Sequence, residues 1–153
     1  MVEVTLNGFF KVVSMNAGIF LEKLDVKCMK ENYQLEYVFD NASLAALWSS
    51  ISTPEGLSTW FADDVLVDGE RFTFVWNKFQ QNAELLQMRL NKCVRFKWEE
   101  DDPQLFFELN LSQNELTNDI VLTISDFSDA EELEDAIDLW NTQIEQLRIN
   151  LGL

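Results

Sequence analysis

Few side chains in this 153-residue sequence have the types and spacing to carry out chemistry. It contains no histidine. That removes Ser–His and Cys–His nucleophile pairs, imidazole general bases and His-containing zinc sites. The two cysteines, Cys28 and Cys93, are far apart and form no C-x-x-C pair. Neither a disulfide framework nor a thiolate metal site is therefore indicated, and a reducing, cytoplasmic setting fits. Cys93 lies in the strand-like run 92–96 and reads as an ordinary thiol. The run Glu99-Glu100-Asp101-Asp102 offers oxygen ligands of the kind Ca²⁺ and Mg²⁺ take. It lacks the spacing and the glycine of an EF-hand loop, and reads as a solvated turn. No nucleophile elbow, phosphate-cradling glycine loop or dinucleotide fingerprint occurs. The expectation is a chain with no catalytic residue set, no metal and no cofactor. If a proton is moved at all, Asp, Glu, Tyr33 or Tyr37 must move it.

The abundant chemistry is apolar. Twelve Phe and five Trp accompany an overall hydrophobic content of 47%. Phe72, Phe74 and Trp76 recur at every second residue, as do Val94, Phe96 and Trp98, so large rings gather on single strand faces. Small-molecule pockets are typically apolar with a few convergent polar groups, and so are ordinary cores. Both readings stay open on pattern alone.

Charge narrows the partners. Eleven Lys and Arg against 27 Asp and Glu give a net charge of −16. A nucleic-acid binder needs a basic face to displace phosphate counterions, and an anionic membrane surface makes the same demand, so both are disfavoured. The acidity serves solubility, or forms a face for a basic protein partner. In residues 1–28, Glu3, Glu22 and Asp25 are balanced by Lys11, Lys23 and Lys27, which puts the whole net charge in residues 29–153. The first segment lacks the basic start and cleavage site of a signal peptide, and no stretch approaches the roughly 20 apolar residues of a membrane span. Residues 1–28 are expected to be an upstream extension, either from a mis-called start or poorly ordered. Residues 29–153 are expected to be the domain.

The elements that must position these side chains can be read in order. Tyr33, Leu35, Tyr37 and Phe39 alternate with more polar residues and predict a strand. Asp40-Asn41 offers a cap for a short helix carrying Leu44, Leu47, Trp48 and Ile51. Thr53-Pro54 caps and starts a second short helix bearing Leu57, Trp60 and Phe61. The period then changes to two. Asp68-Gly69 signals a hairpin between the strands 64–67 and 71–76. Further strands follow over 83–90 and 93–99, around Leu105 to Leu111, and from Ile120 to Ile124. Short turns between sequential strands imply an antiparallel meander. Ser128-Asp129-Ala130-Glu131 reads as a capping box for a long final helix, and Gly152 can end it. Its stripe of Leu133, Ile137, Trp140, Ile144, Leu147 and Leu151 must be buried against the sheet.

This order resembles the START-like (SRPBCC) superfamily. The most telling stretch is 47–61, LWSSISTPEGLSTWF, which is similar to the segment "helix, T-x-P-E-x-L-x-x-W-F" of the family related to the activator of the heat-shock-protein-90 ATPase. The strand Arg95-Phe96-Lys97-Trp98, the strand Leu122-Thr123-Ile124 and the Trp140 helix are similar too, so the resemblance covers residues 30–152. It implies an α+β helix-grip fold: a curved antiparallel sheet of about six to seven strands around a long C-terminal helix, with two short helices after the first strand. It also implies a cavity between the concave sheet and that helix. The lining would come from Trp60, Phe61, Phe72, Phe74, Trp76, Phe96, Trp98, Phe107, Trp140, Gln143 and Ile144. Asn141, Gln87, Arg89 and Arg95 are further polar residues that could face either way. The function this implies is the non-catalytic binding of a hydrophobic or amphipathic small molecule. The alternatives are a co-chaperone-like interaction domain using the acidic surface, and a cyclase-like enzyme. This sequence departs from the family in having Asp68-Gly69-Glu70 for a Gly-Gly turn and Leu139-Trp140 for Gly-Trp, which weakens transfer of any one member's activity.

Overall fold

Strict alternation of side chains decides which face of the sheet is covered. The computed structural model describes residues 2–7 and 30–153. In β2 (Glu31–Phe39), Tyr33, Leu35, Tyr37 and Phe39 are buried, whereas Glu36 and Val38 are exposed. The same period runs through β7 (Phe107–Gln113) and β8 (Ile120–Ser128), whose Phe107, Leu109, Leu111, Ile120, Leu122 and Ile124 all point inward. With β1 (Val2–Asn7), β3 (Asp64–Asp68), β4 (Arg71–Trp76), β5 (Phe79–Arg89) and β6 (Cys93–Trp98), the described residues form one eight-stranded sheet. Its order is β1-β2-β8-β7-β6-β5-β4-β3, and every pair is antiparallel. Seven of these strands lie within residues 30–153. The expected extension falls largely outside the described residues; of residues 1–28, Val2–Asn7 are placed, as the edge strand beside β2.

Turn chemistry joins the strands. Asp68 pairs with Arg71 across a two-residue loop, and Gly69 there has φ of 62°, a conformation glycine adopts without cost. Asn91 and Asn118 take similar positive φ at the β5–β6 and β7–β8 turns, as short polar side chains can. β5 begins at Phe79, four residues before the start expected from the pattern, and carries a bulge between Leu85 and Gln87. The polar run 80–82 hides this strand start because its partner β4 supplies the apolar face.

Among the described residues, three helices accompany the sheet: α1 (Leu44–Ser52), α2 (Pro54–Leu57) and α3 (Leu133–Leu151). The cap of α1 is Ser43, whose hydroxyl accepts from Ala46 N–H, rather than Asp40-Asn41; Asn41 is spent on the turn with φ of 58°. The capping box expected at 128–131 does not form either. β8 continues through Ser128, whose hydroxyl donates to the Asp129 carbonyl, and α3 starts at Leu133 with Glu132 in the cap position and no side-chain cap. Extending the ladder with β2 to Glu31↔Ser128 removes Ser128 from the helix start. Acids in the first turn, Glu134 and Asp135, still suit the positive end of the helix dipole. At the other end, Arg148 lies in the last turn and Gly152 closes the helix in the left-handed conformation. Trp140, Ile144 and Leu147 of α3 are buried in the core that the inner sheet face provides, with Leu133, Ile137 and Leu151 packed at its margin.

Candidate functional site

Phe61, just past α2, is the hub of the space between sheet and helix. Its ring lies 5.0 Å from Phe74, 5.6 Å from Trp60 and 6.0 Å from Trp76, each edge-on. It stacks on Phe107 at 5.7 Å, Trp140 at 5.8 Å and Trp98 at 6.5 Å. These are the separations at which the ring quadrupoles attract. Phe96 joins the cluster through Phe72 at 5.0 Å and Phe107 at 5.3 Å. Alternation in β4 and β6 aims these rings at one face, and α2 places Phe61 over them. The chain thus gathers all the aromatic residues expected from the sequence into one cluster, with Ile144 on the buried side of α3.

Polar groups at the margin tie α2 and α3 to the sheet. The Phe61 carbonyl accepts from Trp76 Nε1 and from Gln143 Nε2, both at 3.1 Å, so one backbone oxygen links β4 and α3 to the turn after α2. Trp60 Nε1 donates to the Ser50 carbonyl at 2.8 Å, locking α2 onto α1. Asn150 donates to the Thr59 carbonyl from the far end of α3. Asn141 faces inward and accepts from Tyr37 Oη at 2.7 Å. Arg89 and Arg95 are on the other face of the sheet, Arg95 paired with Glu108 at 2.7 Å and lying over the Phe106 ring at 4.2 Å.

A buried carboxylate adds a group that spacing did not disclose. Asp126 is an inward position of β8, opposite Tyr33 of β2. Its Oδ2 accepts from Trp140 Nε1 at 3.0 Å and from Tyr33 Oη at 3.3 Å, while Oδ1 accepts from its neighbour Phe127 N–H at 2.8 Å. Burial pushes the Asp126 carboxyl up to about 6, against the opposing pull of those three hydrogen bonds and of Lys30. Burial, and then the Asp126 charge, push the Tyr33 phenol upward as well. Burial raises Tyr37 to about 12 despite the Arg148 charge nearby. Asp126 could have been found as the one acid at an inward position of the strand Ile120–Ser128. The strand's extension past Ile124 was what the pattern failed to show.

The acidic turn after β6 is engaged at the surface. Glu99 pairs with Arg71 at 2.9 Å and Asp101 with Lys30 at 3.8 Å. No helix among the described residues is long and apolar enough to cross a membrane.

Comparison with known proteins now places this architecture. Among curated proteins no sequence matches the chain. A family model described as a START-like superfamily domain matches residues 27–153. The solution structure of BfR322 from Bacteroides fragilis is 43% identical, with a TM-score of 0.60 over 80% of this chain and 91% of that one. The Aha1 dimer from Colwellia psychrerythraea is 16% identical, with a TM-score of 0.62 over 77% of this chain and 95% of that one. CalU16 from Micromonospora echinospora is 19% identical, with a TM-score of 0.60 over 77% and 72%. The last two are alike in fold alone. Because the model spans nearly all of the described residues and the Bacteroides protein agrees in sequence as well as fold, the chain belongs to the START-like superfamily.

Proposed function

We propose that this START-like domain binds a hydrophobic or amphipathic small molecule between the inner sheet face and α3, in the place the Phe61 ring now fills. The observation that carries this reading is the Phe61 hub: a side chain just past α2, in contact with six aromatic rings, those of its neighbour Trp60, of four sheet residues and of Trp140 in α3. Phe61 is anchored by its backbone, through Trp76 and Gln143, so its side chain can swing without breaking those bonds. Withdrawing it exchanges ring–ring contact for ring–ligand contact of the same kind, which makes an apolar guest a fair substitute. Asp126 and Tyr33 mark a polar end to that space. A carboxylate there suits a hydroxyl or amine group and repels an acid. The preferred guest is therefore a neutral or amine-bearing amphiphile, not a fatty acid.

Intrinsic fluorescence tests this directly, because Trp60, Trp76, Trp98 and Trp140 all belong to the cluster or its margin. Titration with long-chain alcohols, amines, fatty acids and aromatic metabolites is expected to give a saturable emission shift with an alcohol, amine or neutral aromatic, and a weaker one with fatty acids. No saturable shift from any of them would sink the reading. A fatty acid binding tightest would overturn the part assigned to Asp126.

A further inference from the structure

The outer face of the sheet carries a cleft of about 410 Å³, on the side opposite α3. Strand register builds it. Arg89 of β5, Cys93 of β6 and Asn110 of β7 form one row across three strands, and Gln87, Arg95 and Glu108 form the next. Lys92, in the β5–β6 turn, lines the same cleft. Its position is held by backbone bonds, its N–H donating to the Arg89 carbonyl at 2.9 Å and its carbonyl accepting from Leu111 N–H at 2.6 Å.

The charge of this cleft runs against that of the molecule. Residues 30–153 contain eight Lys and Arg, yet three of them, Arg89, Lys92 and Arg95, line this one depression. Among the described residues, Glu108 is the only acid in its lining, and it is committed to Arg95. Among the described residues, Arg89 and Lys92 join no ion pair. The Gln87 carboxamide lies beside the Arg89 guanidinium; turned so that its oxygen faces Arg89, it accepts from Nε at 3.0 Å and Nη2 at 3.2 Å, a neutral partner that leaves the charge unspent. Two positive charges are therefore in excess locally on a chain of net charge −16.

We propose that this cleft binds a small organic anion, with Arg89 and Lys92 supplying charge-assisted hydrogen bonds to its carboxylate or phosphate oxygens and Asn110 and Ser112 lining the remainder. The volume falls in the range of small-molecule sites. Size selection follows from electrostatics. Beyond a Debye length of about 8 Å the acidic surroundings are screened, so a small anion seated in the cleft responds chiefly to the local cations. A polyanion such as nucleic acid would lie across the acidic surface as well and be repelled.

Amide-detected NMR titration of the full-length protein with citrate, with glycerol 3-phosphate and with single-stranded oligothymidylate tests the proposal. The expected result is a saturable set of shifts confined to residues 87–95 and 108–113 with citrate or glycerol 3-phosphate, the tighter of the two telling whether carboxylate or phosphate is preferred. The double variant R89Q/K92Q, at two exposed positions, is expected to weaken that binding by about tenfold or more, with K92Q alone weakening it in the same direction. Absence of saturable shifts with both small anions overturns the proposal, as does unchanged affinity in the variants or tighter binding of the oligonucleotide.

Discussion

At Asp126 the requirements of β2, β8 and α3 meet on one carboxyl group, which holds Tyr33 Oη and Trp140 Nε1 together. An aspartate in the unfolded chain ionises near the ordinary value of 3.8, whereas burial pushes this one up to about 6. The folded protein therefore holds more protons than the unfolded chain across that window, and stability from this group falls as pH rises through it. It is fully present below the lower value, and the burial cost is complete above the upper one. Replacing the group by Asp126→Asn keeps an oxygen for Trp140 and Tyr33 and removes the charge, but leaves Phe127 N–H without its acceptor. We expect a net gain of about 1 kcal/mol at neutral pH, after setting a lost hydrogen bond against relief of the charge, together with a flatter pH profile. Urea denaturation at pH values on either side of the window checks this. A variant whose stability follows pH as steeply as the parent would show that Asp126 does not titrate in this way.

The α1–α2 corner is the element on which the aromatic hub depends. Thr53 serves both helices: its hydroxyl donates to the Ser49 carbonyl at 2.7 Å and accepts from Gly56 N–H at 2.9 Å. Gly56 then passes so close to α1 that a Cβ there would lie 2.0 Å from the Ser49 carbonyl oxygen. Backbone cannot yield as a flexible side chain does, so Gly56→Ala must push α2 away from α1. The displacement would carry Trp60 off the Ser50 carbonyl and Phe61 off its neighbours. A loss of about 2–3 kcal/mol is expected by chemical denaturation, with a change in tryptophan emission at native conditions. A fully stable Gly56→Ala protein with unchanged emission would refute this account of the corner. Much of the corner was legible in advance, because Thr53-Pro54 is a local start signal. The cap at Ser43 and the uncapped start of α3 were not, because each depends on where the neighbouring strand ends.

For the whole molecule, net charge is the dominant long-range term. A charge of −16 on 153 residues opposes compaction through self-repulsion. Among the described residues, the four ion pairs lie largely at the surface, where each contributes little. Added NaCl should therefore raise the thermal midpoint by a few degrees as the repulsion is screened, with sodium sulfate and sodium chloride compared to separate screening from surface exclusion. A midpoint that falls on adding NaCl would mean that specific ion pairs outweigh the general repulsion.

Local rules determined most of the architecture. Period-two alternation marked β2, β4 and β6, the Asp68-Gly69 turn marked the β3–β4 hairpin, and the stripe from Leu133 to Leu151 marked α3 and its buried side. Those signals depend on neighbours within a few residues, so they are complete in the sequence. Tertiary structure alone decided what the interior contains. Phe61 becomes a hub only because α2 turns it onto rings from β4, β6, β7 and α3, and Asp126 becomes a buried acid only because β8 runs past Ile124 beneath Trp140. The cations at 89, 92 and 95 converge for the same reason: strand register, which is set by pairing across the sheet, brings Arg89 and Arg95 to one face beside Lys92.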